Sequence, residues 1–91
     1  AASLPYMFND KPRTVEMLAE RHIIDQVIDW FGTDIRLQPL DDDKVKVSLK
    51  ASMLAMEHWA MQYINYVEIT APTELREKIK ENLEKAQKKY T

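Results

Sequence analysis

The sequence predicts an α+β domain, a ferredoxin-like βαββαβ split βαβ sandwich with an additional C-terminal helix. Three observations predict it. Apolar and polar residues alternate in four short runs. Two stretches of helical period interrupt those runs in the order strand, helix, strand, strand, helix, strand. A third amphipathic stretch closes the chain. Right-handed crossovers then place both intervening helices on one face of an antiparallel sheet.

Each element follows from its residues. In TVEMLA, 14–19, Val15, Met17 and Ala19 share one side, as a strand requires. In ERHIIDQVIDWF, Ile23, Ile24, Val27, Ile28 and Phe31 fall on one helical arc, with Asp25, Gln26 and Asp29 opposite. Gly32, the one glycine of the chain, stands where that helix must end. A residue of positive φ commonly sits there, and glycine adopts it without a Cβ clash. Asn would be the next best tolerated. Gly32 therefore reads as structural. Phosphate-cradling loops place several glycines before a helix, not one after it.

DIRLQPL alternates again, and Pro39 marks it as an edge strand. DDDK forms a polar turn, and KVKVSLKA is the cleanest strand, with Val45, Val47 and Leu49 inward. The two runs form a β-hairpin. Ser52 suits the N-cap of a second helix, MLAMEHWAMQY. Met56, Trp59, Ala60 and Tyr63 define its buried face, with Trp59 as structural anchor. Leu54 and Met61 form a surplus apolar flank. YVEIT, 66–70, is a short strand with Val67 and Ile69 inward. Pro72 fits the first turn of a third helix, whose narrow stripe is Leu75, Ile79, Leu83, Ala86 and Tyr90. Glu74/Lys78, Glu81/Lys85 and Glu84/Lys88 are spaced for i,i+4 pairs.

Size and composition bound the function. Ninety-one residues make one domain, and such a chain buries only roughly 60–65% of its unfolded surface. A formal net charge of -2, from 13 basic and 15 acidic residues, argues against a dedicated duplex-DNA binder. There is no cysteine, hence no thiol nucleophile and no disulfide framework, which fits a cytoplasmic protein. No apolar run approaches the ~18 residues of a membrane span. AASLPYMFND reads like the cut end of a longer chain.

Catalytic chemistry finds no set of residues. His22 and His58 lie outside any metal-ligand spacing, and neighbouring helical residues such as Glu57 and His58 do not face each other. DDDK lacks the glycine and terminal Glu of a calcium loop. Ser48 and Ser52 have no nucleophile context. We therefore expect no enzyme, no catalytic residue, no metal and no cofactor. RNA-recognition domains of this topology stack bases on aromatics of the central strands, and here those strands carry none. The open sheet face instead carries Glu16, Leu18, Arg36, Gln38, Lys46, Ser48, Lys50, Tyr66, Glu68 and Thr70. Among these, Arg36, Lys46 and Lys50 are candidates for a small anionic ligand.

The series VEMLAERHIIDQVIDWFGTDIRL, DDDKVKVSLKAS and HWAMQYINYVEITAPTELREKIKENLEKAQKKY resembles the C-terminal extension that follows the WYL domain in bacterial transcriptional regulators, the WCX module. The resemblance rests on Phe31-Gly32, the acidic turn Asp41 to Lys44, Trp59, Gln62-Tyr63, Val67-Glu68-Ile69 through Pro72, Leu75-Arg76 and Tyr90. PYMF, 5–8, is similar to the lead-in from a WYL domain. One position departs: the family usually has a glycine after the Gln-Tyr step, and this chain has Ile64 and then Asn65, so Asn65 is expected to take the positive φ there.

The resemblance implies residues 1–13 as a linker from a preceding WYL domain and 14–91 as a C-terminal regulatory and dimerisation domain. It implies a cytoplasmic, non-catalytic module. Its partners would be the WYL and helix-turn-helix domains of the same protein, a second copy in a homodimer, and a small-molecule or nucleotide effector. Direct DNA binding belongs to the helix-turn-helix domain, outside this chain. A dimer would use the apolar side chains Tyr6, Phe8, Leu54 and Met61. The alternative reading is a stand-alone small-ligand-binding module of the same fold.

Overall fold

The computed structural model describes residues 11–32 and 34–91. In chain order it contains β1 (Arg13–Glu20), a 3₁₀ turn (Arg21–Ile23), α1 (Ile24–Phe31), β2 (Arg36–Pro39), β3 (Lys44–Ala51), α2 (Met53–Gln62), β4 (Val67–Ala71) and α3 (Thr73–Lys88). The four strands form one antiparallel sheet in the order β2-β3-β1-β4. This is the split βαβ arrangement the alternation predicts, with the helices on one side and the other side open.

The centre of the sheet is a ladder of eight paired positions, from Arg13↔Ala51 to Glu20↔Lys44. Because side chains alternate across a strand, this register puts Val15, Met17, Ala19, Val45, Val47, Leu49 and Ala51 on the helical side, and all are buried. Val67 and Ile69 of β4 join them. The helices close the core with Ile23, Val27, Met56, Trp59, Ala60, Leu75 and Ile79. No polar or charged residue is buried among the described residues.

Trp59 fills the centre at 0% exposure. The Phe31 ring packs edge-on at 5.6 Å between centroids, and the Tyr63 ring lies tilted at 4.8 Å. Tyr63 donates its hydroxyl proton to Gln26 Oε1 at 3.2 Å, joining α2 to α1. The Trp59 indole N–H has no hydrogen-bond partner among the described residues. Such an orphan donor costs about 1–3 kcal/mol, which the ring packing offsets.

The helix termini follow from local chemistry. Ser52 Oγ accepts from the Ala55 amide at 3.0 Å and so caps α2. The first helical stretch opens with the 3₁₀ turn, and the Arg21 amide at its start donates to the Asp43 carbonyl at 2.7 Å. α2 ends at Gln62, and Asn65 does not take positive φ: Gly32 alone among the described residues does. The turn after α2 closes instead through a Tyr66 amide to Tyr63 carbonyl bond of 2.8 Å, which needs no left-handed residue. Pro72 precedes the first helical residue of α3 and does not lie within its first turn.

Coverage and charge pairing depart from the plain pattern in three places. Leu37 alternates with Arg36 and Gln38 yet stays 44% exposed, since β2 is the outermost strand. The stripe of α3 is buried only at Leu75 and Ile79, while Leu83, Ala86 and Tyr90 remain exposed. None of the three expected i,i+4 pairs on α3 forms an ion pair among the described residues. Glu74 is drawn to Arg13 of β1 instead.

Gly32 ends α1 with its amide on the Ile28 carbonyl at 2.8 Å. Its φ is 78° and its ψ is -166°. The left-handed helical region lies near ψ +47°, so Gly32 occupies the extended positive-φ region that is essentially confined to glycine. Asn tolerates the former and gains nothing in the latter. A Cβ at this position would meet no atom within 4 Å, so any cost arises in the backbone itself. Gly32→Ala and Gly32→Asn should therefore both destabilise the domain by about 1–3 kcal/mol in urea unfolding. A clearly milder Asn variant would place Gly32 in the left-handed helical region.

Candidate functional site

The open face of the sheet is the surface on which the fold gathers charge without covering it. Register sets its rungs. Arg36 stands opposite Ser48, and Ser48 opposite Glu16. On the next rung Gln38, Lys46, Leu18 and Glu68 follow one another across all four strands. Lys50 lies a rung further, opposite Thr14. A shallow depression of about 410 Å³ is lined by Glu16, Arg36, Leu37, Gln38, Lys46 and Ser48.

The structure thus brings Arg36 and Lys46 to one depression and leaves Lys50 outside its lining. It also adds a residue that changes the chemistry. Glu16 reaches Lys46 Nζ at 3.2 Å, so that ammonium is already paired. Arg36 and Lys50 form no ion pair among the described residues. Arg36 offers a planar donor fork suited to carboxylate or phosphate, with the Ser48 hydroxyl beside it and the Glu16 carboxylate beyond. The depression therefore places one guanidinium and one hydroxyl beside an ion-paired Glu16–Lys46 couple.

The β2–β3 hairpin carries Arg36, Lys46 and Lys50, and its turn is clamped. Asp41 Oδ1 accepts from the amides of Asp43 at 2.8 Å and Lys44 at 2.7 Å. This Asx turn supplies what a glycine would otherwise supply. Arg21 reaches back from the end of β1 and donates to the carbonyls of Asp42 at 3.0 Å and Asp41 at 2.9 Å. The two amide hydrogen bonds hold the Asp41 carboxyl below its ordinary value, with Lys44 and Arg21 adding smaller electrostatic contributions. Arg21 carried no sequence signal, because its acceptors are backbone atoms about 20 positions away.

The histidines sit elsewhere. His22 Nε2 lies 2.9 Å from Glu20 Oε1, and its ring meets Tyr66 edge-on at 5.1 Å. Near it, Glu20, Arg21, Asp42, Asp43 and Lys44 line an open polar cleft. His58 is exposed on α2. No cluster of His, Cys, Asp and Glu able to hold a metal occurs among the described residues, and no described helix is long and apolar enough to cross a membrane.

Of the expected contact residues, Leu54 and Met61 are half-buried, Met61 against the core. Tyr6 and Phe8 lie outside the described residues. Among the described residues, the large apolar side chains that stand exposed are Trp30, Leu37, Leu40, Tyr66, Leu83 and Tyr90.

Compared with known proteins, residues 11–87 match the family model described as the WCX domain, which spans all seven strands and helices but for the end of α3. No curated protein and no solved structure gives a match.

The Asp41 clamp has a pH signature. A carboxylate whose acidity is raised by folding contributes stability that is fully present above its unfolded value, here 3.8, and is lost as pH falls through the lower folded value. In an NMR titration, the Asp41 carboxyl should have its midpoint below 3.8. Asp41→Ala should speed amide exchange at Asp43 and Lys44 at neutral pH, and Asp41→Asn, which keeps an acceptor oxygen, should largely preserve protection. An ordinary Asp41 midpoint would contradict the clamp.

Proposed function

This chain belongs to the WCX domain family, and on that premise we propose that it is the non-catalytic C-terminal regulatory domain of a WYL-type bacterial transcriptional regulator. The observation that carries this reading is the family match across residues 11–87. Its partners in the cytoplasm are the WYL and helix-turn-helix domains of the same protein. Its own contribution to regulation is an effector surface on the open sheet face. There Arg36 binds an anionic group of a small-molecule or nucleotide effector, Lys46 and Lys50 add positive potential, and Glu16 and Ser48 select the rest of the ligand. Duplex DNA is left to the helix-turn-helix domain. A few interrupted cations release few counterions, and Glu16 and Glu68 sit among them.

Self-association belongs to the same reading. A small core and apolar surface on α2, at Leu54 and Met61, favour a weak symmetric pair, the default for a homo-oligomer. Each such side chain contributes about 1.5–3 kcal/mol on full burial, which must exceed the entropy cost of association.

Three measurements check these statements. Titration with a nucleoside monophosphate should shift the amides of Arg36 and Ser48, and Arg36→Gln should abolish the shift. The same protein should show no low-micromolar binding to random duplex DNA at physiological salt. An unchanged response in Arg36→Gln, or tight duplex binding, would remove the effector surface from the proposal. In sedimentation equilibrium at tens of micromolar, the wild-type mass should exceed the monomer, and Leu54→Glu or Met61→Glu should restore it. A monomer at all concentrations would exclude the dimer.

A further inference from the structure

The outer edge of β2 borders the depression that holds Arg36. No described strand pairs with this edge, and all four residues of β2 are exposed. The hairpin assigns its backbone groups. The Leu40 amide donates to the Lys44 carbonyl at 3.0 Å, and the pairs Gln38↔Lys46 and Arg36↔Ser48 follow in step. In an antiparallel ladder, hydrogen-bonded pairs alternate with pairs whose backbone groups turn away. Leu37 and Pro39 are therefore the residues of β2 that face outward. Leu37 offers an N–H and a carbonyl, and Pro39 a carbonyl alone.

This edge is complementary to itself. A second copy, related by a two-fold axis through Leu37, exchanges a pair of Leu37 N–H to Leu37 carbonyl bonds with the first. The Pro39 carbonyl of each copy then faces the Ile35 amide of the other. Neighbouring registers are worse. One centred on Arg36 sets like charges directly opposite, which is destabilising. One centred on Gln38 leaves the Leu37 carbonyl facing the missing N–H of Pro39. In the Leu37 register, the 44% exposed Leu37 meets its own counterpart on the helical side, and Arg36 stands opposite Gln38 on the open face. The two Arg36 residues then lie diagonally across the axis, with backbones roughly 7–8 Å apart.

Resting on the effector reading above, we propose that an anionic effector joins two copies of this chain through their β2 edges, held between two Arg36 guanidiniums, one from each copy. Area and charge both require the ligand. A strand of four residues offers far less contact than the roughly 1,200 Å² of a stable interface. Arg36 has no ion pair among the described residues, so two of them oppose each other's approach until an anion lies between. The free edge thus stays open and closes when the effector binds. Each chain holds half of the site. The pair at α2 uses a different surface and needs no ligand.

The Leu54→Glu chain, which removes the α2 pair, isolates this association. A nucleoside monophosphate should move its mass in sedimentation equilibrium from monomer towards dimer, strengthening self-association about tenfold or more, with one ligand bound per two chains. The Leu37 amide lies outside the β2–β3 hydrogen bonds and should exchange more slowly once ligand is added. Leu37→Pro removes that outward donor and spares the β2–β3 ladder. It should stay monomeric with ligand, while the Arg36 and Ser48 amides still shift at higher ligand concentration. The exchange measurement stands whether or not the proline variant folds. Shifts at Arg36 and Ser48 with an unchanged monomer mass and a fast Leu37 amide would overturn the pairing and leave the effector reading intact. No shift at either amide would overturn both. Ligand-driven dimers that form equally well with Leu37→Pro would place the second copy on another surface and overturn the pairing alone.

Discussion

The register of β1 against β3 is the constraint on which everything else rests. Eight consecutive pairs fix it. A slip of β1 by one residue would turn Val15, Met17 and Ala19 to water and bring Glu16 into the core, and a slip of β3 would do the same with Val45, Val47 and Leu49 and bring in Lys46 and Lys50. The apolar side chains thus hold the register. The same register composes the open face, because Glu16 meets Lys46 only while Met17 lies opposite Val47. Core and candidate site are two sides of one ladder.

The two edges of the sheet are managed differently. At β2 a proline occupies the outermost strand, where its missing N–H removes a donor from the exposed edge. At β4 the Arg76 guanidinium caps one carbonyl and also pairs with Glu68 at 2.9 Å. Both devices blunt strand-to-strand association. One residue further along β4 the ladder with β1 shifts register between Glu16 and Met17, and the Thr70 hydroxyl donates to the Glu16 carbonyl at 3.0 Å. This bond anchors the backbone beneath the Glu16 side chain on the open face.

Long-range polar contacts then tie the secondary elements into one unit. Arg21 fastens the hairpin turn to the end of β1, and Tyr63 fastens α2 to α1. Asn82 of α3 donates to Glu57 of α2 at 2.9 Å. Most of these groups are exposed, so each contributes little to stability. What they set is geometry: the pitch of the hairpin that presents Arg36, and the lie of α3 along the β4 edge.

The sequence by itself determined the order of the elements, the four strands, the Ser52 cap, the helix end at Gly32 and the identity of nearly all core residues. These are local properties, encoded by period and by backbone chemistry within a few residues. It also named Arg36 and Lys46 as sharing a face, since alternation alone decides that. The tertiary structure decided how far each apolar stripe is covered, because that depends on the sheet's width and on which strand lies at its edge. Leu37 and Leu83 are periodic but only partly covered, and Tyr90 is 90% exposed. It decided the pairing of charges as well: Glu74 prefers Arg13 to its helical neighbour, and Glu16 neutralises Lys46. It assigned Arg21 and Arg76 their backbone acceptors. Such contacts join atoms that only folding brings together, and no spacing along the chain announces them.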